Sequence, residues 1–145
     1  MILNIIWFYI KLFFSFLWQL PQNLIALIML PFLGKIKLIY EKNFTFIFNC
    51  SKMKGGISLG NFIFLSSELS EKKTSILHEL GHVKQSHMFS WLYLIIIGLP
   101  SILNATFHFT NCYYDFFTEK WANKLMVLKV AKNQYGCYLY IPKEK

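Results

Sequence analysis

The sequence predicts an α+β, mainly helical membrane protein, and three observations carry that prediction. Hydrophobic residues make up 55% of the chain and charged residues only 15%, against roughly 25% charged in an ordinary globular domain. The apolar residues gather in long runs at 1–20, 24–34 and 88–107. Between those runs lie two aromatic-rich segments with strand character and two segments with helical spacing. A chain of 145 residues is long enough for one domain with a sizeable core. The reading is one membrane-embedded domain over 1–145. Its parts are an N-terminal membrane hairpin at 1–34, a β-hairpin region at 35–67 and a motif helix at 68–87. A bent apolar membrane segment at 88–110 and a second helix with a tail at 111–145 complete it.

Residues 1–20 lack an early positive charge and a small-residue cleavage pattern, so they read as a retained transmembrane helix rather than a leader. Lys11 in mid-run should face protein or a polar cavity. Pro21 breaks the run, and 24–34 is a second, shorter apolar stretch closed by Lys35 and Lys37; together they predict a helical hairpin. FTFIFN at 44–49 and ISLGNFIFLSS at 57–67 flank a Gly-containing loop and predict a β-hairpin, with Gly60 at a bulge. That hairpin either covers the core or offers an edge to an extended peptide. Ser67 or Ser70 is placed to cap the next helix. Within 88–107, Gly98 and Pro100 predict a bend. Residues 113–130 carry Phe117, Trp121, Leu125 and Leu128 at helical spacing, and a short strand and a frayed end follow.

Net charge is +8, carried by 15 basic residues that are all lysine. Nucleic-acid readers rely on arginine for bidentate base contacts, and no basic helix or stacking platform is present, so nucleic acid is not an expected partner. Cys50, Cys112 and Cys137 are widely spaced, with no C-x-x-C, and read as buried free thiols.

The chemistry gathers at His78-Glu79-Leu80-Gly81-His82. On a helix, residues four apart share one face, so both imidazoles can bind one Zn²⁺ with Glu79 beside them as a base for water. Gly81 has no chemical role and suits close approach of another element. Hydrolytic zinc sites use three protein ligands. A histidine ten residues after His78 would complete one branch of such enzymes, but Met88 stands there. His87 lies too far round the helix to share the ion. Glu119, in Glu119-Lys120-Trp121-Ala122-Asn123, and Asp115, one turn before it, are the downstream carboxylates that could serve as third ligand.

H-E-x-x-H followed by E-x-x-A-N resembles the gluzincin branch of zinc metallopeptidases, over roughly residues 74–125. The chain also looks like small bacterial membrane proteins that combine Gly56-Ile57-Ser58-Leu59-Gly60, a similar helix and a Tyr113–Ala122 segment. The resemblance implies a minimal core of β-hairpin, H-E-x-x-H helix and Glu-bearing helix on apolar membrane helices. It implies Zn²⁺ held by His78, His82 and Glu119, and Glu79 as the catalytic base. Asn123 stands where the family has an Asp that accepts a bond from a ligating imidazole; Asn can still accept through its oxygen, but without the charge. An oxyanion stabiliser is needed too; Tyr113, Tyr114 and His87 are candidates among which the sequence does not choose.

His82 and Glu119 must meet, so the run between them cannot cross a bilayer once. It should dip in at Gly98-Leu99-Pro100 and return, its backbone covered by protein. Five lysines lie within 35–54 and six within 120–145, which predicts a multi-pass protein of the bacterial cytoplasmic membrane with its site facing the cytoplasm. The function expected is hydrolysis of peptide bonds near the membrane surface, with a peptide or protein substrate and the lipid bilayer as partners. The alternative is a non-catalytic membrane protein whose metal-stapled fold binds a partner.

Overall fold

The computed structural model describes residues 2–134 and 136–142. Its centre is a four-stranded sheet of β1 (Ile36–Lys42), β2 (Thr45–Cys50), β3 (Gly56–Leu59) and β4 (Phe62–Leu65), in the order β1-β2-β4-β3. Alternation along the strands assigns each face a partner. Ile47, Ile63 and Leu65 share one face and pack with Val83 of the long helix α4 (Lys73–Phe89). Phe48, Phe62 and Phe64 point the other way, toward Ala26 and Leu33. Across the parallel pair β2–β4, Phe46 stacks on Phe62 and Phe48 on Phe64, with ring centroids 5.9 and 5.7 Å apart.

The expected β-hairpin of 44–49 with 57–67 is therefore corrected. Segment 57–67 is itself a hairpin, β3–β4, turning at Gly60 (φ +64°), and β2 pairs with its second strand in parallel. Antiparallel β1 was not anticipated, because IKLIYEK mixes charge with apolar residues at an outer edge where both faces need not be buried. β3 forms the other edge of the sheet.

Among the described residues, six α-helices and two sheets make this a mixed α/β fold, not the mainly helical membrane protein that was expected. Among the described residues no single helix is long and apolar enough to cross a membrane. The N-terminal runs form α1 (Ile2–Trp18) and α2 (Leu20–Met29), bent by 89° at an elbow rather than folded as a hairpin. Pro21 in the first turn of α2 explains the break, since a missing N–H costs nothing there. Lys11 is exposed and lies over the Trp7 ring at 5.3 Å rather than facing protein. The elbow is fastened by buried amides: Asn23 accepts from the Asn61 N–H at 2.8 Å and donates to Asn61 Oδ1 at 2.8 Å.

Ser66, not Ser67 or Ser70, caps the one-turn helix α3 (Ser67–Ser70), and α4 has no side-chain cap. The chain turns after α4 at Ser90 (φ +50°), eight residues earlier than the expected bend. It returns through a π-helical stretch, Leu94–Gly98, that runs directly into α5 (Leu99–Phe107). Pro100 falls in the first turn of α5, so the segment needs no bend at Gly98-Pro100. Helix α6 is only Phe117–Leu125 and stops before Val127 (φ +57°). The rest of the expected amphipathic segment becomes β5 (Lys129–Asn133), paired with β6 (Gly136–Tyr140) in a second sheet. The frayed end expected at 143–145 lies outside the described residues. Cys112 and Cys137 form a disulfide with Cα atoms 5.9 Å apart, correcting the reading of free thiols for that pair; Cys50 is free and buried. The two are 25 residues apart in sequence and are joined only once β6 folds back.

Candidate metal centre

Helix α4 sets His78 and His82 one turn apart, and α6 carries Glu119 in its first turn, where the helix dipole favours a carboxylate. The two helices can approach because of Gly81: a Cβ there would collide with the backbone of Ala122. His78 and His82 are almost wholly buried and Glu119 is completely so. Both imidazole Nε2 atoms converge on the same carboxylate oxygen, Glu119 Oε2, at 3.2 Å from His78 and 3.1 Å from His82.

Each ring is held from its far side. Asn123 Oδ1 accepts from His78 Nδ1 at 2.8 Å, and Gln85 Oε1 accepts from His82 Nδ1 at 2.8 Å. Gln85 is fixed in turn by donating to the Thr118 carbonyl at 2.9 Å. With both Nδ1 atoms so engaged, Nε2 is the atom each ring turns to Glu119; a proton on Nε2 makes that hydrogen bond, and a metal ion would take the proton's place. The second oxygen of Glu119 accepts from Thr118 Oγ1 at 2.9 Å and from Ser101 Oγ on α5. Burial pushes the Glu119 carboxyl up, but the hydrogen bonds and charges of the two histidines outweigh it and hold the group well below the carboxylate range. Burial alone would lower His82; its bond to Glu119 and the charges of Glu119 and Glu79 reverse that and raise it.

Glu79 is buried next to this cluster but is not part of it. Ser58 of β3 donates to Glu79 Oε2 at 2.8 Å, and Gly56 leaves the space the carboxylate fills, since a Cβ there would meet Glu79 Oε1. Glu79, His82, Ser101 and Tyr113 border a cavity of about 280 Å³ between β3, α5 and the π-helical stretch.

The other expected residues separate. Tyr114 packs edge-on against His78, ring centroids 5.3 Å apart. Tyr113 lines the cavity with its hydroxyl 3.5 Å from Ser101 Oγ. Burial and the nearby Glu119 charge push its pKa up, so it keeps its proton. His87 is turned to the elbow, with Nε2 3.5 Å from Gln19, and lies apart from the cluster. Asp115 is spoken for by Lys132 and Lys120. Gln85, Ser58, Thr118 and Ser101 were not anticipated. Gln85 was within reach of sequence reasoning, lying three residues after His82 on the same helix; the others meet the site only through tertiary packing.

Comparison with known protein families, curated proteins and solved structures returns no match. The donor chemistry stands by itself. Ligand atoms of His78, His82 and Glu119 all lie within 4.8 Å of one another, and each has its non-ligating atom tied down by a hydrogen bond. Two orientated imidazoles and one buried carboxylate could hold a metal ion, and three protein ligands leave a tetrahedral ion one further position.

Proposed function

We propose that the chain is a membrane-associated, zinc-dependent metallopeptidase of gluzincin type. The observation that carries this is the convergence of both Nε2 atoms on one oxygen of Glu119, with Glu79 held beside them by Ser58. Two nitrogens and one carboxylate are the donor set of hydrolytic zinc. Zn²⁺ bound there supplies a Lewis acid that polarises a carbonyl and acidifies water. Glu79 takes a proton from the attacking water and passes it to the leaving amine. The amide C–N bond breaks, the water oxygen joins the acyl carbon, and the products are a carboxylate and an amine. Ser58 keeps the Glu79 carboxylate aimed at the cavity, and the Tyr113 hydroxyl is placed to donate to a developing oxyanion. Edge strand β3 lines the same cavity, which suits backbone pairing with an extended peptide.

The membrane part rests on exposed apolar surface. Leu3, Trp7, Tyr9, Phe13, Phe14 and Trp18 of α1 are each more than half exposed. A contiguous apolar surface of that kind marks a lipid or protein interaction site; Asn4, Lys11 and Ser15 keep to one narrow stripe of α1, and the broad apolar remainder fits a lipid surface.

Elemental analysis of the purified protein tests the site. Zinc is expected near one per chain, falling at least tenfold in His78→Ala and in Glu119→Ala. Glu79→Gln should keep its zinc and lose peptide hydrolysis. Peptide hydrolysis at the native rate by Glu79→Gln would reject Glu79 as the base, and rescue of a deletion phenotype by a Glu79→Gln variant that no longer hydrolyses peptides would point instead to the metal-stapled partner-binding reading.

A further inference from the structure

The cavity beside Glu79 has one polar end and otherwise apolar walls. Its chemistry-bearing side is Glu79, His82, Ser101 and Tyr113; the remaining wall includes Ile57, Leu59, Leu94, Ile102 and Ala105. Among the described residues, Glu79 is the one carboxylate lining it, and no lysine does. Ile25, Leu99 and Ile102 line the cavity and are also 39%, 53% and 56% exposed, so they form its rim. That rim continues into the exposed apolar residues Ile28, Ile95 and Leu103. The opening therefore lies among the exposed apolar residues of α2 and α5, where a polar side chain would lose its hydration with few groups on the rim to replace it.

We propose that the substrate is an apolar peptide segment, one that partitions into lipid, entering between α2 and α5 with a large apolar side chain seated against Ile102 and Ala105. This rests on the metallopeptidase reading and names the substrate class of that same site. An apolar cavity of about 150 Å³ holds a benzene ring; this one, about 280 Å³, has room for such a side chain and for the peptide bond beside it. Ala105 is a small, exposed residue of α5 at the mouth of the cavity, and a larger side chain there narrows the entrance.

The test uses the full-length Glu79→Gln protein, loaded with zinc in lipid nanodiscs, and two fluorescent peptides of equal length. One is Leu/Phe-rich and the other Ser/Asn-rich at the central residues. The Leu/Phe-rich peptide should bind at least tenfold more tightly by anisotropy. Adding Ala105→Trp should remove that preference, whereas simple partition into lipid is indifferent to this residue. Ile102→Ser, on the exposed rim, gives a second and structurally milder variant that should weaken the preference several-fold. Equal affinities for the two peptides, or a preference unmoved by both variants, overturn the proposal even if the native protein cleaves both peptides. Selective binding that both variants weaken, without cleavage by the native protein, supports the pocket assignment and overturns the peptidase reading alone.

Discussion

At the scale of residues, the site depends on atoms that touch no substrate. Gln85 is completely buried and links His82 Nδ1 to the Thr118 carbonyl. Gln85→Ala leaves a buried N–H without its acceptor and frees the ring to turn. Zinc affinity should fall by roughly 10–100-fold, the usual cost of losing such a partner, in a chelator competition titration; an unchanged affinity would reject the role given to Gln85. Asn123 makes the matching contact with His78, and its Nδ2 has no hydrogen-bond partner. Asn123→Asp keeps the accepting oxygen, adds a negative charge against the Nδ1–H, and removes the unpaired donor. The same titration should show zinc bound about tenfold more tightly. Asn123 was legible in sequence from the E-x-x-A-N pattern. Ser58 and Ser101 were not legible as partners, because their contacts to Glu79 and Glu119 join residues 21 and 18 apart on different elements.

At the scale of elements, α4 and α6 do for the ion what neither does alone. The first brings two donors by helical periodicity; the second is steered onto them by Gly81 and tethered behind Glu119 by the Cys112–Cys137 disulfide. The disulfide bears on which face of the membrane the protein occupies. Disulfides persist in oxidising compartments. On the membrane-associated reading proposed above, the Cys112–Cys137 bond favours the oxidising face for the α6 side, against the cytoplasmic face that the lysines suggested. In cells quenched with acid and denatured, a maleimide–polyethylene-glycol shift should show one label, on Cys50, before reduction and three after it. Three labels without reductant would return the site to the cytoplasm.

At the scale of the whole molecule, the apolar N-terminus has two separable jobs. α2 covers the phenylalanine face of the sheet through Ala26, with Leu33 beyond it. Its elbow is locked to Asn61. The first two-thirds of α1 makes little use of the core: Leu3 to Phe14 are largely exposed, with Phe8 against Phe44 as a contact. Deleting residues 1–12 should leave zinc content unchanged and weaken vesicle flotation at least fivefold. Loss of zinc on that deletion would show that α1 supports the fold rather than the membrane seat.

The sequence by itself determined the two imidazoles on one helical face, the Glu79 carboxylate beside them, Glu119 as the candidate partner within the E-x-x-A-N pattern, and the need for the chain to come back between them. Each of these follows from local periodicity or from a spacing pattern, which act over a few residues. Tertiary structure decided the rest. The apolar runs read as membrane helices because composition reports how much surface avoids water, not what covers it. In the fold, part of that surface is spent on the two faces of a small sheet and part stays outside. Parallel pairing of β2 with β4, the early turn at Ser90 and the joining of Cys112 to Cys137 are long-range choices, settled by which faces pack together.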